Sequence, residues 1–279
     1  MKDFLRQKLW IRFKRWDRRL LISKRQQFVI ITTVLTLGLT LTQLVGIEYR
    51  YTMVGALTIS TYVLTAFALR DDLKGIEWVT LLSLPTLFTM AVSLFYFLLP
   101  VRWLTRVPVA LLYAIGIYAL LLTENIFNVA VNRTIALLRA GHSVGFLMTL
   151  VTYFLLLQTI FAFRFTAFGN VFFVFCVSLP LVLQTLWFIE LEPMLTKKVT
   201  HLSLIIVLVL TQLVWIFSFW PVKSTLFALL LTTTFYSLGG MAQQYLVEKL
   251  YKKSVIEFFS VMSLVFLIIL FATHWRGNG

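Results

Sequence analysis

The stretch TENIFNVAVNRTIALLRAGHSVG, residues 123–145, places a row of polar side chains between two strongly apolar segments. Before it stands VALLYAIGIYALLL (109–122), and after it stands FLMTLVTYFLLL (146–157). Apolar runs of about 20 residues have the length that crosses the ~30 Å hydrocarbon layer as a helix. Backbone groups in lipid must be hydrogen-bonded within their own segment, so such runs predict membrane-spanning helices.

The composition extends this prediction to the whole chain. Of its 279 residues, 60% are hydrophobic and only 13% are charged, which is too little polar surface for a soluble domain of this size. The ten-residue alternation typical of a membrane barrel is absent from the sequence. The predicted fold is all-α: a polytopic membrane helix bundle of about nine transmembrane helices, forming one domain over residues 27–276. The predicted spans are 27–47, 52–69, 78–99, 106–124, 142–163, 168–189, 200–220, 224–246 and 255–274.

The distribution of basic residues predicts the orientation. With the N-terminus inside, 19 of the 25 Lys and Arg residues lie on inner segments and 6 on outer segments. Cytoplasmic loops carry an excess of Lys and Arg, so the N-terminus is predicted to be cytoplasmic and the C-terminus outside. The net charge of +14 then indicates basic residues that face anionic lipid headgroups. Nucleic acid is not expected as a partner.

Residues 1–26 have the pattern of an amphipathic helix. Their apolar side chains fall within an arc of about 80° on a helical wheel, with basic residues opposite; these are Leu5, Leu9, Phe13, Trp16 and Leu20. Such a helix lies on the inner leaflet and binds anionic lipids. A docking arm for a protein partner is the alternative. The segment is too long for the basic region of a cleavable signal.

The quoted stretch contains the candidate binding residues. Taken as one helix, five of its polar side chains share an arc of about 80°; they are Glu124, Asn128, Asn132, Arg139 and His142. Continuing the fourth span to Ala140 would make a rod of roughly 50 Å, longer than a bilayer core requires. We therefore expect a span that ends near Glu124, an amphipathic inner-side helix at about 124–140, and a turn at Gly141.

Polar groups at membrane depth are costly unless they pair or face a cavity. Glu124 and Arg139 are too far apart along one helix to pair, so their partners should come from other spans. One hypothesis is a polar pocket at the inner leaflet that binds a lipid or another ligand. The alternative is interhelical hydrogen bonding with a solvated edge. Gly141 and Gly145 form a GxxxG step, which predicts close helix packing.

The inner loop RDDLKGIEW supplies two further candidates, Asp71 and Asp72. Adjacent carboxylates at a membrane surface suit Mg²⁺ on a lipid diphosphate. With Glu190 and Glu192 in another inner loop, the pattern resembles membrane prenyltransferases of the UbiA type, but neither DxxxD motif of that family is present. DDLK also resembles the DDxxK motif of polyprenyl-phosphate sugar transferases, with one residue missing and without that family's later aspartates or histidine cluster. These resemblances imply an Mg²⁺-dependent transferase as an alternative function.

Pro85 and Pro180 support a second alternative, a small-molecule transporter. Each stands in the sequence Ser-Leu-Pro within a predicted span, and the two spans run in opposite directions. Broken helices in inverted halves are typical of transporters.

With Cys176 as the single cysteine and three histidines in the chain, neither an intrachain disulfide nor a zinc site is expected.

The segment TENIFNVAVNRTIALLRAGHSVGF and its flanking spans resemble a group of uncharacterised bacterial polytopic membrane proteins. This resemblance implies a bacterial plasma (inner) membrane location and no particular activity. The sequence therefore predicts a non-enzymatic membrane protein that binds a lipid or a protein partner, with no cofactor, metal site or catalytic residue. The candidate lipid- or ligand-binding residues are Glu124, Asn128, Asn132, Arg139, His142, Asp71 and Asp72.

Overall fold

The computed structural model describes residues 23–70, 73, 75–99, 103–131 and 136–273. These residues form nine α-helices and a short 3-10 helix, Ile47–Tyr49, and they contain no strand, which confirms the predicted all-α class. The predicted amphipathic helix at 1–26 lies, up to residue 22, outside the described residues. The helices are α1 Lys24–Thr42, α2 Arg50–Leu69, α3 Glu77–Tyr96, α4 Trp103–Ala130, α5 Leu138–Ala162, α6 Ala167–Glu190, α7 Lys197–Phe217, α8 Ser224–Leu246 and α9 Lys252–Ala272.

Eight of these helices, α2 to α9, are long and apolar enough to cross a membrane. They correspond to eight of the nine predicted spans. The predicted first span corresponds to α1, which has 19 residues and begins with the polar sequence KRQQ. The chain is thus a bundle of apolar helices compatible with a multi-pass membrane protein.

Side-chain caps start several helices where the sequence changes from polar to apolar. Ser23 and Gln26 form a reciprocal capping box at the start of α1. Thr166 accepts a hydrogen bond from the Gly169 N–H at the start of α6, and Thr196 does the same for Val199 at the start of α7. Each cap satisfies a backbone donor that has no partner within the helix.

Successive helices run in opposite directions. The Lys24 ammonium donates to the Ala68 carbonyl, which joins the start of α1 to the end of α2. The Ser224 hydroxyl donates to the Phe161 carbonyl, which joins the start of α8 to the end of α5. We call the end of the bundle where α1 begins the proximal end, and the opposite end the distal end. The charge pattern predicts that the proximal end is cytoplasmic.

Burial separates central helices from peripheral ones. In the most apolar 18-residue window of each helix, 61% of α8 and 56% of α3 and of α6 is buried, whereas only 6% of α9 is buried. Helix α9 packs against α8 and exposes apolar side chains such as Phe259, Leu264 and Phe271. In a membrane these side chains would face lipid at no hydrophobic cost.

The expected inner-side helix at about 124–140 is replaced by a different arrangement. Helix α4 continues past Glu124 to Ala130, and α5 begins at Leu138 with Gly141 inside it. The cause is packing between α4 and α5. A Cβ on Gly145 would lie 3.2 Å from the Phe127 ring, and one on Gly141 would lie 3.3 Å from the Ile126 side chain. The predicted close GxxxG packing is therefore present, and it holds the last turns of α4 against α5.

Glycine also allows close packing at the centre of the bundle. A Cβ on Gly116 of α4 would lie 2.6 Å from Cζ of Phe88, a buried ring that stacks on Tyr113. A Cβ on Gly55 of α2 would meet nothing within 4 Å.

These two glycines give a matched test of the packing. Gly116→Ala should lower the melting temperature in detergent, because overpacking costs roughly 1–3 kcal/mol and outweighs a helix-propensity gain of about 1 kcal/mol. Gly55→Ala should leave the melting temperature unchanged or raise it. Equal melting of Gly116→Ala and the unmodified protein would show that the Phe88 ring is not confined.

Candidate functional site

A polar layer crosses the proximal half of the bundle. The Ser83 hydroxyl donates to the Gln184 side-chain oxygen, and the Gln184 amide donates to Oε1 of Glu124 at 3.2 Å. The three residues come from α3, α6 and α4. Each lies six residues from the proximal end of its helix, or about 9 Å at 1.5 Å per residue. The antiparallel arrangement thus places them at one depth.

Glu124 is the acidic residue at the centre of this layer, and it is completely buried. Its Oε1 accepts the bond from Gln184, while its Oε2 has no hydrogen-bond partner among the described residues. The expectation that its partner comes from another span is met by Gln184. A carboxyl group buried with one oxygen unpaired can still accept a donor from a bound molecule or water.

Asn128 lies one turn beyond Glu124 on the same buried face of α4. Its amide donates to the Leu69 carbonyl at 3.0 Å, and Lys24 donates to the neighbouring Ala68 carbonyl at 3.0 Å. Together they satisfy carbonyls at the end of α2, which lack partners within the helix. Oδ1 of Asn128 has no hydrogen-bond partner in the described part of the chain. Two buried acceptor atoms, one turn apart, therefore lack donors.

His142 joins α5 to the end of α6. Its Nε2 donates to the Phe188 carbonyl at 2.8 Å, since a carbonyl oxygen only accepts. Its ring stacks on Phe127, with centroids 5.5 Å apart, and Phe127 stacks on Phe188 at 3.9 Å. The adjacent cavity, which Gln243 also lines, is about 10 Å³. That volume holds about one water molecule at most.

The predicted residues are divided between different surroundings. Glu124 and Asn128 are fully buried on one face of α4, and His142 is half-buried beside Phe127 of the same helix. Arg139, the second residue of α5, is exposed. It therefore does not share the buried surroundings of Glu124. Asn132, Asp71 and Asp72 lie outside the described residues, so their assignment stays a prediction.

Ser83 and Gln184 are not among the candidate residues that the sequence predicts. Gln184 lies four residues after Pro180 in the run PLVLQTLWF, and it is completely buried. A polar side chain inside a membrane-length run is expected to face the bundle interior and to have a partner, and this signal could have identified it. No comparable signal marks Ser83, because serine hydroxyls are readily satisfied by the carbonyls of their own helix.

Glu190, which the sequence predicts in an inner loop, is the last residue of α6 and has a partner close by in the chain. Its Oε2 accepts a hydrogen bond from the Thr196 hydroxyl at 2.6 Å. The Glu192 carbonyl accepts from the Trp187 indole at 2.8 Å. Within the described residues, no group of three or more His, Cys, Asp and Glu side chains lies close enough together to hold a metal ion.

Comparison with known protein families shows which family the chain belongs to. Residues 77–272, which span α3 to α9, match the family described as "Protein of unknown function (DUF5656)". The chain belongs to this family. Its matched region includes Glu124, Asn128, His142 and Gln184, so the polar layer lies within the family's part of the chain. Comparison with curated proteins and with solved structures found no match.

The bond between Gln184 and Glu124 can be measured by a double-mutant cycle. Gln184→Met should lower the free energy of unfolding by roughly 1–3 kcal/mol, because it leaves the buried carboxyl group without its donor. Glu124→Met in the same background should recover most of that loss, because both polar partners are then replaced by apolar groups of similar size. Unfolding in detergent, followed by circular dichroism, provides the measurement.

The control is Gln244→Met on α8, a half-buried glutamine whose side-chain oxygen has no partner. It should change the unfolding free energy little. If the losses from Gln184→Met and Glu124→Met simply add in the double variant, the two side chains do not interact.

Proposed function

We propose that the chain is a non-enzymatic membrane protein that binds a lipid or a protein partner at its proximal end. The observation that supports this proposal is the pair of buried acceptor atoms, Oε2 of Glu124 and Oδ1 of Asn128, which lack donors within the described residues. Leaving such atoms unpaired costs roughly 1–3 kcal/mol each. A bound group with N–H or O–H donors would remove that cost.

The geometry limits what can reach these atoms. Glu124 and Asn128 are fully buried, so a whole headgroup does not reach these atoms. A narrow donor suits the site better: the ammonium of an aminophospholipid, or a lysine side chain from a partner. Such a group would enter between α4 and α6, where the Gln184 side chain already reaches Glu124.

The distribution of basic residues supports a cytoplasmic location for the proximal end. The proximal end includes the exposed or partly exposed residues Arg25, Arg70, Lys198 and Lys249, and basic segments next to a membrane attract anionic lipid. On this basis we assign the proximal end to the cytoplasmic face of a bacterial plasma membrane. The basic N-terminal segment, 1–26, would hold anionic lipid there, and the C-terminus would lie outside.

The two alternative functions stay predictions. The Mg²⁺-dependent transferase rests on Asp71 and Asp72, which lie outside the described residues. The transporter rests on Pro85 and Pro180, which lie within the continuous helices α3 and α6. Substrate-dependent exchange of accessibility near these prolines would favour the transporter.

Native mass spectrometry of the purified chain in mild detergent tests the proposal. The unmodified protein should retain a bound lipid or protein, and Glu124→Gln should lose it, because the amide replaces an acceptor oxygen with a donor. Glu257→Gln is the matched control, since it makes the same side-chain replacement at an exposed position of α9. Arg139→Ala should retain the adduct, because Arg139 is exposed and apart from the buried layer.

Three results would contradict the proposal. Identical adducts in Glu124→Gln and the unmodified protein would make the polar layer purely structural. Loss of the adduct in Glu257→Gln as well would show that binding follows net charge and not the site. A polyprenyl diphosphate that binds only with Mg²⁺, and is lost in the variant with both Asp71→Asn and Asp72→Asn, would favour the transferase.

A further inference from the structure

The distal end of the bundle contains a second site, which is separate from the polar layer. A cleft of about 690 Å³ opens where α5 and α7 end and α6 and α8 begin. Its walls are both aromatic and polar. The aromatic walls include Phe161, Phe217, Trp220 and Phe227. This volume accommodates a small ligand or a headgroup, whereas the cavity near His142 does not.

Two cationic side chains line the cleft, Arg164 and Lys223, and both are exposed. Arg164 has a φ of +52°, in the left-handed region that non-glycine residues rarely adopt. It stands just after the end of α5, where glycine is the usual residue. An arginine at this position costs backbone energy that a glycine would not.

Two amide side chains in the same cleft have an oxygen atom that accepts no hydrogen bond within the described residues. Asn170 is only 8% exposed; its amide donates to the Phe165 carbonyl, and its Oδ1 has no partner in the described structure. Oε1 of Gln158, a half-buried residue of α5, likewise has no partner there. Both residues line the cleft. A ligand for this site therefore needs donors as well as a negative charge.

A phosphate ester that carries a primary ammonium has both features. A phosphate group is recognised by arginine through charge-assisted, often bidentate, hydrogen bonds. A primary ammonium has three N–H donors, as in lysine, and two of them suit the unpaired amide oxygens. A quaternary ammonium, as in choline, has no N–H donor to give.

The surroundings of the cleft favour a lipid as the source of this group. Exposed aromatic side chains stand around the distal helix ends, among them Phe165, Phe168, Trp215 and Phe219. Aromatic rings collect at the level of lipid headgroups, and the helices on either side are of membrane-spanning length. A headgroup in the cleft would thus have its acyl chains along the apolar outer surface of the bundle.

We infer that this cleft binds the headgroup of a phosphatidylethanolamine-type lipid. The phosphate lies between Arg164 and Lys223, and the ammonium donates to the side-chain oxygens of Gln158 and Asn170. This inference is independent of the proposed function, because none of its residues belongs to the polar layer around Glu124.

Lipid titrations followed by native mass spectrometry test the site. The full chain carrying Glu124→Gln, which removes the proximal acceptor, is titrated in detergent separately with phosphatidylethanolamine, phosphatidylcholine and phosphatidylglycerol of the same acyl chains. One phosphatidylethanolamine should bind at least tenfold more tightly than either of the others. Phosphatidylcholine lacks the N–H donors, and phosphatidylglycerol lacks the ammonium.

Arg164→Gly separates binding from folding, because it should lower the lipid affinity and raise the melting temperature. Affinity for phosphatidylethanolamine should fall at least tenfold with the loss of the guanidinium group. The melting temperature of the lipid-free protein should rise, because glycine adopts a positive φ without strain. Arg139→Gln removes an exposed cation at the proximal end and should leave the distal affinity unchanged.

Gln158→Met tests the ammonium contact. This variant should keep binding phosphatidylethanolamine but lose most of the preference over phosphatidylcholine, since one acceptor is gone. Soluble phosphoethanolamine distinguishes the source of the headgroup. It should compete only weakly, because it lacks the acyl chains.

The inference is overturned by any of three results. The first is equal affinity for the three lipids. The second is unchanged phosphatidylethanolamine affinity in Arg164→Gly. The third is tighter binding of soluble phosphoethanolamine than of the lipid. Glu124→Gln should not change lipid binding at the distal cleft. Failure of the proximal proposal and failure of the distal one can therefore be told apart.

Discussion

A polar group inside an apolar helix bundle needs a partner from a neighbouring helix, and much of this structure follows from that need. The bond between Gln184 and Glu124 meets it at the most demanding position, a carboxyl group with no exposure to solvent. The bond forms because Glu124 of α4 and Gln184 of α6 lie at the same depth, each six residues before the end of its helix. The hydroxyl of Ser83 then completes a connection across three helices.

The same principle explains the smaller polar contacts deeper in the bundle. Thr89 of α3 bonds to Thr61 of α2 and to Tyr113 of α4, and Tyr153 of α5 bonds to Ser178 of α6 at 2.8 Å. Each contact specifies which helices are neighbours and at what depth. Apolar surfaces alone specify this poorly, because lipid tails are as apolar as leucine. The polar pairs therefore contribute to the register of the bundle.

The unpaired polar atoms at the two ends of the bundle have different surroundings. At the proximal end the unpaired oxygens of Glu124 and Asn128 belong to side chains that are fully buried. At the distal end Gln158 and Asn170, whose side-chain oxygens are buried and unpaired, line an open cleft with cations at its rim. A closed site with little space favours a narrow donor, whereas an open cleft accommodates a whole headgroup.

The sequence by itself determined the helical class and the approximate position of eight apolar helices, because length and hydropathy in a membrane leave the backbone few alternatives. It also identified Glu124 and Asn128 as residues that share a helix face, since that follows from the helical period alone. The tertiary structure decided where α4 ends, because Phe127 packs against Gly145 and holds the last turns of α4 in the bundle. It also decided that Glu124 pairs with Gln184 while Arg139 stays exposed, and that Arg164 and Asn170 line one cleft. These outcomes depend on contacts between helices far apart in the chain, which no local pattern of residues specifies.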